Sequence, residues 1–139
     1  MTSEVLVTVV GEQFQESDSD PIELVTVGVY EKKGDKHCVS YEEIPDNGDG
    51  ISQTVLGFNH DKMEMTKKGE VSVNMIFEKG KSNVTYIETV MGSLSIGVTT
   101  TKLSVTEQED EITLNVKYGM DLNYSYVSDC ELNILIQAR

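Results

Sequence analysis

Gly92-Ser93-Leu94-Ser95-Ile96-Gly97-Val98-Thr99-Thr100-Thr101-Lys102-Leu103-Ser104-Val105 is the stretch whose phase decides the fold. Successive side chains of a strand point to opposite faces. Leu94, Ile96 and Val98 hold one parity, whereas Leu103 and Val105 hold the other. The segment therefore reads as one long strand whose phase switches once, across Thr99 to Lys102. A one-residue change of phase inside a strand is the sequence form of a β-bulge, a device that bends sheets.

Alternation of the same kind continues on both sides. Downstream, Glu107 to Glu111 is an acidic turn, and Ile112, Leu114 and Val116 form a strand. Tyr124 and Tyr126 begin a last strand, continued by Cys130, Leu132, Ile134 and Ile136. Upstream, strands are expected at Val5–Val10, Ile22–Glu31, His37–Ile44, Ile51–Asn59, Met63–Thr66, Val71–Phe77 and Asn83–Thr89. Met and Glu favour helices, but Met63 to Thr66 alternates with period two and is too short for a stable helix.

Turn signals separate the strands: Ser17-Asp18-Ser19-Asp20-Pro21, Lys33-Gly34-Asp35-Lys36, Pro45-Asp46-Asn47-Gly48-Asp49-Gly50, His60-Asp61, Lys68-Gly69 and the hairpin at Glu78-Lys79-Gly80-Lys81. Gly28, Gly92 and Gly97 read as bend or bulge positions.

Composition agrees. Val, Ile and Thr number 17, 9 and 12, while Ala occurs once, at Ala138. Branching at Cβ suits a pleated surface, and the best helix former is nearly absent. About ten short strands at hairpin spacing predict a sandwich or a barrel. The first and last strands are both well patterned, so they can pair and remove the vulnerable edges of an open sheet. The expected fold is all-β: a closed, antiparallel, up-and-down barrel of about 8–10 strands, formed by residues 1–139 as a single domain. No internal repeat or low-complexity segment interrupts it.

The formal net charge is −13. That balance repels phosphate backbones and anionic bilayers, so neither nucleic acid nor membrane is an expected partner. Glu4 interrupts the start, and the apolar run from Val5 to Val10 is too short for a signal peptide. A cytoplasmic location is expected, with Cys38 and Cys130 reduced.

A set of ordered segments resembles a known family. Ile22-Glu23-Leu24-Val25-Thr26-Val27-Gly28 is followed by Val39-Ser40-Tyr41-Glu42-Glu43, then by Met75-Ile76-Phe77-Glu78-Lys79-Gly80. Glu88-Thr89, Gly92-Ser93-Leu94, Gly97-Val98 and Glu131-Leu132 complete it. These segments resemble the YwiB-like family of small bacterial proteins, a domain of unknown function. The resemblance implies a calycin-type, lipocalin-like barrel in cytoplasmic proteins without an established activity. Val90-Met91 departs from it, where a Pro and an aromatic residue are expected.

Chemical motifs are scarce. His37 and Cys38 are neighbours, so they face opposite sides and cannot form a nucleophile–base pair. No C-x-x-C, H-x-x-x-H or phosphate-binding glycine pattern occurs. Asp46 to Gly50 fails the calcium-loop spacing, with Gly48 at the third position and no distal Glu. No metal, cofactor or catalytic residue is expected, and His37 and His60 read as solvent-exposed loop residues. Glu43 shares parity with Val39 and Tyr41, which places it either on the apolar face or in water at the strand end. Tyrosine joins an apolar body to a polar tip and suits a cavity wall.

The expected function is non-catalytic binding of a small, partly apolar ligand inside the barrel. Parity selects Tyr41, Glu43, Thr54, Phe77, Tyr86 and Ile96 as lining residues. The alternative is a protein-interaction domain with a filled barrel and an acidic surface meeting a basic partner. An enzyme using an interior Glu ranks behind both.

Overall fold

The computed structural model describes residues 3–13, 22–43, 52–69, 72–89 and 92–139. The turn at Ser17–Pro21, the loop at Pro45–Gly50 and the departure at Val90-Met91 lie outside these. Ten strands occur among the described residues: β1 (Glu4–Gln13), β2 (Ile22–Lys33), β3 (Lys36–Glu43), β4 (Ser52–Phe58), β5 (Lys62–Lys68), β6 (Val73–Glu78), β7 (Ser82–Thr89), β8 (Gly92–Glu107), β9 (Glu111–Leu122) and β10 (Ser125–Ala138). All pair antiparallel in one sheet, in the order β6-β5-β4-β3-β2-β1-β10-β9-β8-β7. The sheet curls into a nearly closed barrel. No helix among the described residues is long and apolar enough to cross a membrane.

The first and last strands pair as expected, with Val5 opposite Ala138 and Gln13 opposite Cys130. The barrel's seam, however, lies between β6 and β7. These strands share the turn in which the Lys81 amide donates to the Glu78 carbonyl at 3.0 Å, but they form no ladder. The expected hairpin at Glu78–Lys81 is therefore a turn without strand pairing. Asn83 Nδ2 reaches the Ile76 carbonyl across the seam at 3.4 Å. The turn itself docks on β8: the Gly80 amide donates to Thr100 O at 2.9 Å, and the Thr100 amide to Lys81 O at 3.1 Å.

That docking point is the bulge. The β8–β9 register shifts between Thr100 and Lys102. Thr101 and Lys102 both face solvent, after which Leu103 returns to the interior. Gly28 is different: its register with β1 and β3 runs on without a bulge. A Cβ there would lie 2.8 Å from the Ser40 carbonyl oxygen and 3.1 Å from Val7 Cγ2. Gly28 marks a close backbone approach. Gly97 likewise keeps continuous register, and Gly92 has φ 113°, a backbone suited to glycine.

The interior is a continuous apolar core. Val5, Val7, Val39, Leu56, Met63, Phe77, Leu114, Val116 and Ile136 are fully buried. Burial of such side chains is the main favourable contribution to folding. Side chains also meet across the barrel. Phe77 of β6 meets the Tyr118 ring of β9 edge-on, with centroids 5.0 Å apart. His37 of β3 reaches Glu107 of β8.

Candidate functional site

Inward positions at the ends of β1, β3 and β5 and the starts of β2 and β6 converge at one end of the barrel. They line an open-mouthed cavity of about 380 Å³. Val9, Leu24, Met65, Val73, Met75 and Leu132 supply apolar walls, and Phe77 and Tyr118 the aromatic ones. Tyr41, Glu43 and Lys67 supply the polar part of the lining.

The polar groups are mutually organised. Thr54, fully buried opposite Tyr41 on β4, donates its hydroxyl to Glu43 Oε1 at 3.3 Å. Lys67 Nζ stands 3.6 Å from the same oxygen. Glu43 is thus neither a lone buried charge nor simply in water, because it is partly exposed and paired. Burial pushes the Tyr41 phenol well above its ordinary value; the Glu43 charge adds to this, and the Thr54 hydroxyl opposes it. Tyr118 is raised as well, mainly by burial, with Cys130 contributing. Both phenols stay protonated at neutral pH and can donate hydrogen bonds.

The sequence-selected positions separate accordingly. Tyr41, Glu43 and Phe77 line the cavity, and Thr54 supports Glu43 from beneath. Ile96 is partly buried against the core from β8 and lies outside this lining. Tyr86 is 65% exposed on the outer face. On β7 the inward parity belongs to Asn83, Thr85 and Ile87, of which Ile87 is buried; Asn83 spans the seam from that side. Sequence parity overlooked Lys67, although it follows Met63 and Met65 at intervals of two, and it overlooked Tyr118, which follows Leu114 and Val116 in the same way.

A second polar constellation ties β2, β3 and β8. His37 is buried on β3, which corrects its reading as an exposed loop residue, whereas His60 is exposed in a turn. His37 Nε2 lies 2.5 Å from Glu107 Oε1 and Nδ1 lies 2.6 Å from the Tyr30 hydroxyl. A carboxylate only accepts, so Nε2 carries a proton. Nδ1 accepts from Tyr30 when the imidazole is neutral and donates to it when charged. The imidazole stacks on Phe58 at 4.9 Å. The bond from His37 holds the Glu107 carboxyl below its usual range; Lys32 and His60 assist, and partial burial opposes them. Burial and the Glu107 charge raise Tyr30. The Glu107–His37–Tyr30 chain braces β3 against β8 and ties in β2.

Among the described residues no group of three or more His, Cys, Asp or Glu side chains could hold a metal ion.

Comparisons with known proteins agree with the architecture. The crystal structure of the ywiB protein from Bacillus subtilis is similar, with a TM-score of 0.77 and 21% sequence identity over 98% of this chain and 90% of that one. At that identity the likeness shows the fold. Among curated proteins none matches. The model of one family, described as a domain of unknown function (DUF1934), matches residues 7–134. The chain therefore belongs to the DUF1934 family, the YwiB-like proteins that its sequence segments resemble, whose domain has no assigned function.

Proposed function

We propose that the protein is a cytoplasmic, non-catalytic binder of a small, partly apolar molecule held in the barrel. The observation that carries the reading is the 380 Å³ cavity with one organised polar patch. Its volume falls in the range of small-molecule sites, which combine apolar walls with a few placed polar groups. The ligand fitting this lining has an apolar body against Met65, Met75 and Phe77. It also has an uncharged hydroxyl, carbonyl or amide end directed to Tyr41, Glu43 and Lys67. A charged end is disfavoured because Glu43 and Lys67 already neutralise one another. Two free thiols, one of them buried, support a reducing compartment.

Native mass spectrometry of protein purified from its own cells tests this. A stoichiometric small-molecule adduct is expected, and Met75→Trp, which fills the cavity, is expected to remove it. A clean apo mass in every preparation would count against the proposal. So would an adduct that survives Met75→Trp in a folded protein.

A further inference from the structure

A corner of the outer surface carries a feature independent of whatever occupies the barrel. Tyr86, Tyr124 and Tyr126 are 65%, 74% and 55% exposed and belong to β7, the β9–β10 turn and β10. The hydroxyls of Tyr86 and Tyr124 lie 3.0 Å apart. The ladders set Val84 opposite Gly97, Gly97 opposite Asp121 and Asp121 opposite Tyr126. Opposed residues present side chains on one face. This row therefore has a gap at Gly97, where a Cβ would come within 3.3 Å of the Asp121 Cβ. Gly119 opens the adjoining position: a Cβ there would meet Asp129 Oδ1 at 3.6 Å and Tyr126 Cε2 at 3.9 Å. The Asp129 carboxyl beside the Tyr126 hydroxyl raises the phenol's pKa.

The backbone at the turn is unusual. Asn123 and Tyr124 both have left-handed φ, 51° and 68°. A two-residue turn of this kind favours Asn-Gly, and a bulky residue is rare at its second position. Here the conformation holds an aromatic ring out in solvent.

Charge indicates what the corner would hold. Asp121 and Asp129 have no basic side chain within 4 Å among the described residues. Tyrosine faces attract cations through the ring quadrupole, and a neighbouring carboxylate adds to the attraction. A second copy is a poor occupant, since each chain carries 24 acidic and 11 basic residues. Nucleic acid and anionic lipid are repelled for the same reason. Half-exposed Val84 belongs to the same row, which suits the aliphatic stem of a side chain on an extended segment.

We propose that Tyr86, Tyr124, Tyr126 and Asp121 form a docking site for an arginine or lysine side chain in a basic segment of a partner polypeptide. Titration calorimetry at physiological salt tests it with a short Gly-Ser peptide carrying two arginines, its lysine version and its citrulline version. The arginine and lysine peptides are expected to bind and the citrulline peptide, neutral but of similar shape, to lose about tenfold or more in affinity. Tyr126→Ala and Asp121→Asn are each expected to weaken the arginine peptide about fivefold or more, and Tyr126→Phe to retain binding. Glu109→Gln with Asp110→Asn, at the opposite end of β9, should leave affinity within about twofold, because screening confines the effect to near charges. Tyr124→Gly separates binding from folding: it relieves the turn, so the protein should be at least as stable yet bind more weakly. Equal binding of the citrulline peptide, equal weakening by the Glu109/Asp110 variant, unchanged affinity in Tyr124→Gly, or no binding of either basic peptide overturns the assignment.

Discussion

Glu107 shows how one side chain makes stability depend on pH. It accepts from a buried imidazole that no other carboxylate contacts among the described residues. Its carboxyl titrates below the usual range in the folded chain. As pH falls, the unfolded chain therefore takes up this proton first. The contribution is complete above the ordinary carboxylate range and disappears as pH drops through the depressed folded value. Glu107→Gln should lower stability by about 1 kcal/mol at neutral pH, a modest figure because the carboxylate is partly exposed. The gap to the native protein should close as pH falls through the depressed folded value. Urea unfolding of both proteins across this range checks it, and a gap that stays constant would show that the carboxylate's charge is irrelevant. Tyr30→Phe tests the other end of the chain. It leaves Nδ1 of a buried His37 without its phenol partner, for an expected cost of about 1 kcal/mol measured in the same way.

At the scale of the element, glycines that look alike in sequence behave differently. Gly28→Ala would drive a methyl into the Ser40 carbonyl, a backbone atom fixed by the β2–β3 ladder. A loss of about 2 kcal/mol is expected, as for an overpacked core. Gly57→Ala would meet only the end of the flexible Lys36 side chain, at 2.7 Å from Cε, and should stay within about 0.5 kcal/mol of the parent. Thermal or chemical unfolding ranks the pair, and equal effects would mean that the approach at Gly28 is softer than its geometry.

The same scale explains what the sequence could reveal. The bulge in β8 was legible because two outward residues in succession, Thr101 and Lys102, reverse the parity of Leu103 and Val105. The bulge in β10 was not. Tyr126 and Cys130 share parity in sequence, yet the register shift between Tyr126 and Ser128 puts Tyr126 outside and Cys130 inside. Tyr124 belongs to the turn rather than the strand, since left-handed φ at a tyrosine leaves no mark in an alternating pattern. Val84 and Tyr86 are more apolar than Asn83 and Thr85, so composition alone favours them as the inward parity of β7. The seam reverses this preference by using Asn83 as a polar bridge. Tyr41, Glu43 and Phe77 were found because no irregularity separates them from the core residues that set their parity.

For the molecule as a whole, the seam between β6 and β7 governs where it opens. Period-two patterning says which residues face inward but not which strands adjoin, so the seam is a property of the complete sheet. β1 and β10 lie in the middle of the strand order and are paired on both sides. β6 and β7 are each laddered on one side only, and β6 is the shortest strand. Local opening begins where backbone hydrogen bonds are fewest. Amide exchange should therefore be fastest in β6 and β7 and slowest in β1, β9 and β10, with the last approaching the global unfolding limit. The cavity adds a second condition, because Val73, Met75 and Phe77 form its wall from β6. A molecule held there contacts the strand most prone to open, so occupancy should slow exchange in β6 more than in β1 or β10. Hydrogen exchange followed by mass spectrometry, on protein with and without the adduct retained, reads both effects. Uniform protection across all ten strands would mean that the seam is as firmly closed as a ladder. Protection gained outside the β6 wall alone would place the adduct elsewhere than the barrel.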